Sequence, residues 1–322
     1  MIILISGAAG FIGSNLCEFL LKKNFKVIAL DNFSTGHCNN IAHLGNYSNF
    51  SFEEGDIRDF DTCLELTKNA DAVLHQAALG SVPRSIKDPR TTNGVNVSGF
   101  LNILEASRQN GVDRFIYAAS SSTYGDSVHL PKVEDQIGNP LSPYAITKYV
   151  NELYASVYAR EFGLKTIGLR YFNVFGRRQD PHGPYAAVIP KFIGQILRGD
   201  SPTINGDGSH SRDFTYIDNV LQMNYLALTT PNEKAFNQVY NTAVGQRVTL
   251  LEMANFLIEA LQKKIPSLEE IKIKFGPERK GDIKHSQASI EKAKALLGYS
   301  PTHTFREGLT ASIDWYIKNL KI

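Results

Sequence analysis

At 322 residues the chain is too long for one small core and suits one large α/β unit, or one large and one small domain. Its 43% hydrophobic and 20% charged residues are the balance of a soluble globular chain. Lys plus Arg number 34 against 32 Asp plus Glu, and a formal charge of +2 excludes the broad basic footprint of a nucleic-acid binder and argues against a polybasic membrane-surface protein. The three cysteines, Cys17, Cys38 and Cys63, form no CxxC pair. No disulfide framework or structural zinc is expected, and a reducing compartment fits. The eight histidines show no metal-ligand spacing. No apolar run approaches a membrane span, so a cytoplasmic protein is expected.

Residues 1–5 are apolar, but they lack a basic flank and are interrupted by Ser6-Gly7, so they read as a buried first strand rather than a signal peptide. Strands are then expected at 2–6, 25–30, 50–53, 72–75, 114–119 and 166–171. Each is a short, nearly continuous apolar run bounded by Gly, Asp or Ser, the pattern of strands buried on both faces. Helical patterns lie between them at 11–23, 93–110 and 143–162. Strand and helix in alternation imply right-handed crossovers and an α/β fold with a doubly wound parallel Rossmann sheet.

After about residue 175 the texture changes. Gly176-Arg-Arg-Gln-Asp-Pro-His-Gly-Pro184 and Asn205-Gly-Asp-Gly-Ser-His-Ser-Arg-Asp213 read as loops. Residues 239–241 look like a strand returning to the sheet, and 250–263 and 288–297 like helices. The expected division is a dinucleotide-binding domain at 1–174, with return segments near 213–243. A smaller interleaved α/β substrate domain is expected at 175–212 and 244–322.

The first strand runs into Gly7-Ala-Ala-Gly10-Phe11-Ile12-Gly13 and then a helix. Glycine removes the Cβ that would hold backbone amides away from a pyrophosphate, and the helix N-terminus binds the phosphates. The second strand ends at Asp31, an acidic residue placed to accept hydrogen bonds from an adenosine ribose and to repel a 2′-phosphate. The following Asn32-Phe-Ser34-Thr35-Gly36 has no Arg or Lys, which favours NAD over NADP. Asp56, followed by Ile57, is placed to touch the adenine, although alone it reads as a helix cap. His75 reads as a structural hydrogen-bonder and Trp315 as core.

Ser142-Pro143-Tyr144-Ala-Ile-Thr-Lys148 opens a helix with a capping serine and a first-turn proline. Tyr144 and Lys148 then share one face, and a neighbouring ammonium stabilises a tyrosinate. The run Ser120-Ser121-Ser122-Thr-Tyr-Gly125 follows a strand whose carboxyl end meets the same crevice. A hydroxyl there can hydrogen-bond a substrate oxygen during hydride transfer; which serine does so stays open.

Taken together, GAAGFIG, LDNFSTG, GDIRD, HQAA, the serine run with YG, SPYAITK, LRYFNVFG and SRDFTYIDN resemble the extended short-chain dehydrogenase/reductases, and within them the UDP-sugar 4-epimerases. The resemblance covers essentially the whole chain. His75-Gln76-Ala77-Ala-Leu-Gly-Ser81-Val-Pro-Arg-Ser85, the serine run and Gly176-Arg-Arg-Gln-Asp-Pro181 resemble the subgroup acting on UDP-N-acetylhexosamines or their uronic acids in bacterial surface polysaccharide synthesis. That subgroup's usual N-terminal extension is not part of this sequence, and the chemistry is expected not to depend on it.

The resemblance implies Ser120 as the catalytic hydroxyl, with Ser121 and Ser122 close by. It places Gln76, Ala77 and Tyr171 at the cofactor. It assigns Ser81, Asn173, Ala187, Val188, Arg212, Arg279, Asp282 and Ser286 to the UDP-sugar. It also implies a homodimer built by pairing the helices at 93–110 and 143–162, which carry more apolar positions than one sheet face needs. The position of Ser286 is a bulky Tyr in epimerases restricted to UDP-glucose and UDP-galactose. The implied activity is NAD-dependent C4 epimerisation of a UDP-N-acetylhexosamine through a 4-keto sugar. The corresponding uronic acid, UDP-glucose or UDP-galactose, and a nucleotide-sugar dehydratase remain alternatives.

Overall fold

The computed structural model describes residues 1–181, 187–268, 271–278 and 284–320. Its first six strands are β1 (Ile2–Ser6), β2 (Lys26–Asp31), β3 (Phe50–Glu54), β4 (Ala72–His75), β5 (Arg114–Ser120) and β6 (Lys165–Tyr171). Four short strands follow, β7 (Val174–Phe175), β8 (Thr203–Asn205), β9 (Ser211–Arg212) and β10 (Thr215–Tyr216), before β11 (Gln238–Thr242) returns beside β6. The seven-stranded sheet runs β11-β6-β5-β4-β1-β2-β3, and every pairing in it is parallel. The expected α/β doubly wound Rossmann sheet is therefore the observed one. Strand order reverses at β1, which lies between β2 and β4, and a crevice opens there at the carboxyl ends.

Alternation along β1 feeds two cores. Ile3 and Ile5 pack on one face with Leu16, Leu20, Val220 and Leu228; Leu4 packs on the other with Val73, Phe100, Leu104 and Ala155. The first set includes residues of α1 (Phe11–Lys22), and the second faces α2 (Phe60–Thr67). Beyond them lie α3 (Val82–Lys87), α4 (Pro89–Asn93), α5 (Phe100–Gln109), α6 (Pro143–Phe162), α7 (Val188–Leu197) and α8 (Ile217–Thr229). The chain closes with α9 (Leu250–Lys264), α10 (Glu291–Leu297) and α11 (Phe305–Leu320). Trp315 packs partly buried against the first core.

Two expected helices differ from the structure. The segment read as one helix over 93–110 is α4, a π-helical turn at Gly94–Gly99, and α5. The pattern read as helix from 288 becomes helical only at Glu291, because Ala288 pairs with Lys132 in an isolated bridge. β2 ends at Asp31, as expected, and β5 runs one residue further than expected, to Ser120, so both residues are the last of their strands at the crevice. No helix among the described residues is long and apolar enough to cross a membrane.

Candidate active site

Behind β1 the chain turns at Gly7 with φ +70°. A Cβ on Gly7 would lie 2.6 Å from Ala77 N, and one on Gly13 2.0 Å from Gly7 O. Only glycine lets the turn, β4 and the first turn of α1 approach this closely, which leaves the amides at the start of α1 open to the crevice. Asp31 is 8% exposed; its Oδ2 accepts from Ala9 N at 2.9 Å and its Oδ1 from Phe33 N at 2.8 Å. The carboxylate is thereby anchored beside the glycine turn, with lone pairs left for ribose hydroxyls.

A cleft of about 590 Å³ opens over these ends. It is lined by Gly7, Gly10, Phe11, Ile12, Gly13, Asp31, Asn32, Ser34, Thr35, Asp56, Ile57, Gln76, Ala77, Ser120, Ser121, Tyr144, Lys148, Tyr171 and Asn173. Gly36 does not line it. A Cβ there would sit 2.9 Å from Ala9 and 3.0 Å from Asp31 Oδ1, so Gly36 closes the loop around the carboxylate. Asp56 caps no helix, since Asp59 caps α2. Asp56 instead pairs with Arg58 and accepts from Asn32 Nδ2 at 2.8 Å; the Arg58 hydrogen bonds hold its carboxyl down at about 2. The glycine cradle, the free helix N-terminus and the buried acid fit a dinucleotide.

On the other side of the cleft, Ser142 Oγ accepts from Ala145 N at 3.1 Å and Pro143 begins α6. Tyr144 and Lys148 follow one turn apart. Burial pushes the Tyr144 phenol up, while its hydrogen bond with Ser120 acts the other way. Lys148 Nζ donates to Ala118 O at 2.7 Å. Burial lowers its ammonium to about 8, against the opposing field of Glu152. The expectation that Lys148 draws the tyrosine down meets a different arrangement: the direct partner of Tyr144 is Ser120, and Lys148 is tied to a strand carbonyl. Ser120 Oγ accepts from Ser122 N at 3.2 Å and from Ser122 Oγ at 2.9 Å, so Ser122 orients Ser120 and does not line the cleft. His75 meets Ser6 Oγ at 2.7 Å, and burial drops its imidazole to about 3.

The profile of the NAD dependent epimerase/dehydratase family matches residues 3–243. The chain belongs to that family. This family member is 36% identical over 319 residues to a putative UDP-glucose 4-epimerase of Methanocaldococcus jannaschii, covering 98% of this chain and 99% of the relative. Among solved structures it resembles the UDP-N-acetylglucosamine 4-epimerase of Methanobrevibacter ruminantium in complex with UDP-N-acetylmuramic acid, with 36% identity, a TM-score of 0.91 and 98% of each chain covered. It also resembles the UDP-glucuronic acid 4-epimerase of Bacillus cereus in complex with UDP-glucuronic acid and NAD, with 35% identity, a TM-score of 0.89, and 99% of this chain and 100% of that one covered. The cofactor of this epimerase/dehydratase family member is NAD.

Three supports of this family member's site are absent from the sequence expectations. Asn96, in the π-helical turn, accepts from Leu79 N at 2.8 Å and donates to Thr147 Oγ1 at 3.1 Å, bracing the cleft loop against α6. Arg170 forks onto Glu152 at 2.9 and 2.7 Å, a pair 4% and 6% exposed. Asn224 of α8 reaches Gln76 and Tyr171. Glu152 carried a readable signal, lying four residues beyond Lys148; Asn96 and Asn224 carried none.

Several residues assigned to the sugar nucleotide do not line the cleft. Ser81 caps α3, accepting from Arg84 N at 3.1 Å. Ala187 is the N-cap of α7 and Val188 its first residue. Arg212 donates to Ser211 O at 3.0 Å and Lys284 O at 3.2 Å, and Ser286 N donates to Ser211 O at 3.0 Å. These two stand together at β9, and neither is among the residues lining that cleft. Asn173, at φ +33°, does line the cleft, and its carbonyl accepts from Thr215 N at 3.2 Å. Arg279 and Asp282 lie outside the described residues.

Proposed function

We propose that the chain is an NAD-dependent C4 epimerase of a UDP-N-acetylhexosamine, interconverting UDP-N-acetylglucosamine and UDP-N-acetylgalactosamine. The reading rests on one observation above all: the glycine cradle and Asp31 share a cleft with Ser120, Tyr144 and Lys148. The whole-length likeness to UDP-sugar 4-epimerases supports the reaction class. The likeness to a UDP-N-acetylglucosamine 4-epimerase, together with Ser286, supports the acetamido sugar.

Tyr144, as phenolate, removes the proton from the sugar 4-hydroxyl. Ser120 donates to the same sugar oxygen and steadies it. Lys148 supplies positive charge at the buried end of the cleft. Bound NAD, which the glycine turn and Asp31 would hold, would supply a reversible hydride acceptor for C4. The 4-keto sugar turns between these steps and presents its other face, and Tyr144 returns the proton. Residues after 175 are proposed to hold the UDP moiety, with Arg212 and Arg279 suited to a diphosphate.

A dehydratase or decarboxylase needs an acid beside the catalytic hydroxyl. The following residues are Ser121, Ser122 and Thr123, and the nearby Glu152 is held by Arg170. The only carboxylates among the described lining residues, Asp31 and Asp56, belong to the glycine-turn side. The test is incubation with UDP-N-acetylglucosamine, UDP-glucose and UDP-glucuronic acid, read by NMR at the C4 proton. Inversion at C4 of the acetamido sugar is expected. Turnover restricted to another member of the panel reassigns the substrate, and a dehydrated product overturns the reaction.

We also propose a homodimer. Ile146, Leu153 and Val157 form a stripe on α6, 52%, 49% and 40% exposed, with Ile86 of α3 at 64%. Helical faces this apolar are covered in stable soluble proteins. Light scattering at micromolar concentration should give twice the chain mass; a monomer refutes it.

A further inference from the structure

Two phenols line the cleft, Tyr144 and Tyr171, and a ring of hydrogen bonds separates their roles. Tyr171 Oη donates to Gln76 Oε1 at 3.0 Å. Gln76 Nε2 donates to Asn224 Oδ1 at 3.4 Å, and Asn224 Nδ2 donates to Tyr171 Oη at 2.9 Å. Asn224 is fully buried on α8 and lies outside the cleft lining.

The direction of this ring is forced by the helix. Asn224 Nδ2 also donates to Val220 O, one turn back, at 2.8 Å. A backbone carbonyl only accepts, so the amide nitrogen must face Val220. Asn224 Oδ1 is then left for Gln76, which must answer with its own nitrogen. Gln76 Oε1 in turn faces Tyr171, whose single proton is committed to it. Polarity is transmitted from the α8 backbone through Asn224 to two groups at the cleft floor. Tyr171 is left without a free proton, and Gln76 is left with one spare N–H.

We infer that Asn224 is a positioning residue, which fixes Gln76 as a hydrogen-bond donor toward an acceptor oxygen of bound dinucleotide and keeps Tyr171 out of proton transfer. Burial also raises the Tyr171 phenol to about 12, in keeping with a proton that stays where it is. The inference rests on the reading that the cleft takes NAD, and its test does not depend on sugar turnover.

The measurement is NADH affinity of the full-length chain, titrated by the cofactor's own fluorescence, for Asn224→Leu, Gln76→Leu and the double variant, with thermal midpoints recorded. Each single change should weaken NADH about tenfold, the size of one well-placed hydrogen bond, and the double variant should be no weaker than the worse single. Fully additive losses, or unchanged affinity in Asn224→Leu, overturn the proposal. Should Asn224→Leu fail to fold, Asn224→Ala removes both polar atoms without added bulk; wild-type NADH affinity in that variant also overturns it. Wild-type NADH binding without epimerisation of any UDP-sugar would refute the substrate reading and leave this one standing.

Discussion

Lys148 Nζ donates to the carbonyl oxygen of Ala118 at 2.7 Å, which ties α6 to β5 two residues before Ser120. The ammonium is therefore placed by the strand that carries Ser120. Burial lowers it to about 8, so it is charged below that pH and neutral above it. If the charge is needed for turnover, kcat/KM falls on the alkaline side with a midpoint near 8. Lys148→Arg keeps a charge at all working pH and should lose that limb, whatever it does to the rate. A wild-type profile that stays flat into the alkaline range would show that the charge is not required.

Tyr144→Phe removes the phenol and keeps the ring. Loss of a positioned acid/base group should lower turnover by about 10²–10⁴-fold. The NAD content of the purified protein should stay at the wild-type level, because Gly7, Gly13 and Asp31 are untouched. Near-normal turnover would mean that another group handles the proton.

Glu152 and Arg170 form a forked pair that is almost wholly buried. Glu152→Gln leaves the guanidinium without its counter-charge, and breaking a pair of this kind costs about 3–5 kcal/mol. Chemical denaturation should register that loss. The same change removes the negative charge that opposes burial of Lys148, so the alkaline limb should move to lower pH. Wild-type stability in Glu152→Gln would mean that Arg170 has found another partner.

Ser286 is half-buried, with its amide on Ser211 O at 3.0 Å. A tyrosine at this position should fill the space an N-acetyl group enters. Ser286→Tyr is expected to lower kcat/KM sharply for UDP-N-acetylglucosamine and to spare or improve UDP-glucose. Equal loss on both, or no change on either, removes Ser286 as the selector.

The sheet was legible because β1, β4 and β5 are apolar on both faces, and that run of buried side chains survives in the sequence as an uninterrupted block. The glycine turn, Asp31, Tyr144 and Lys148 were legible for a related reason, since each lies within a few residues of the others or of a strand end. α8 was not. Val220, Leu221, Met223, Asn224, Ala227 and Leu228 are all buried, so the helix has little polar face to set a period. Asn224 meets Gln76 across 148 positions of sequence, a contact that exists only once α8 lies on the sheet. The meeting of Ser286 and Arg212 was equally hidden, because it depends on how β9 and residues 284–288 pair in space.

The π-helical turn at Gly94–Gly99 makes this stretch sensitive to length as well as to composition. A π turn holds one residue more than an α turn, so removing one residue from 94–99 would let the helix close into regular α geometry. Both kinds of turn complete the same circle, so the flanking helix would keep nearly its facing, while the residues inside the turn would lose theirs. Asn96 lies inside that stretch, and its aim at Leu79 N and Thr147 Oγ1 would change, loosening the loop over the cleft from the helix bearing Tyr144. The extra residue is thus what turns Asn96 toward both partners, and its loss should be felt in the cleft rather than in the helix.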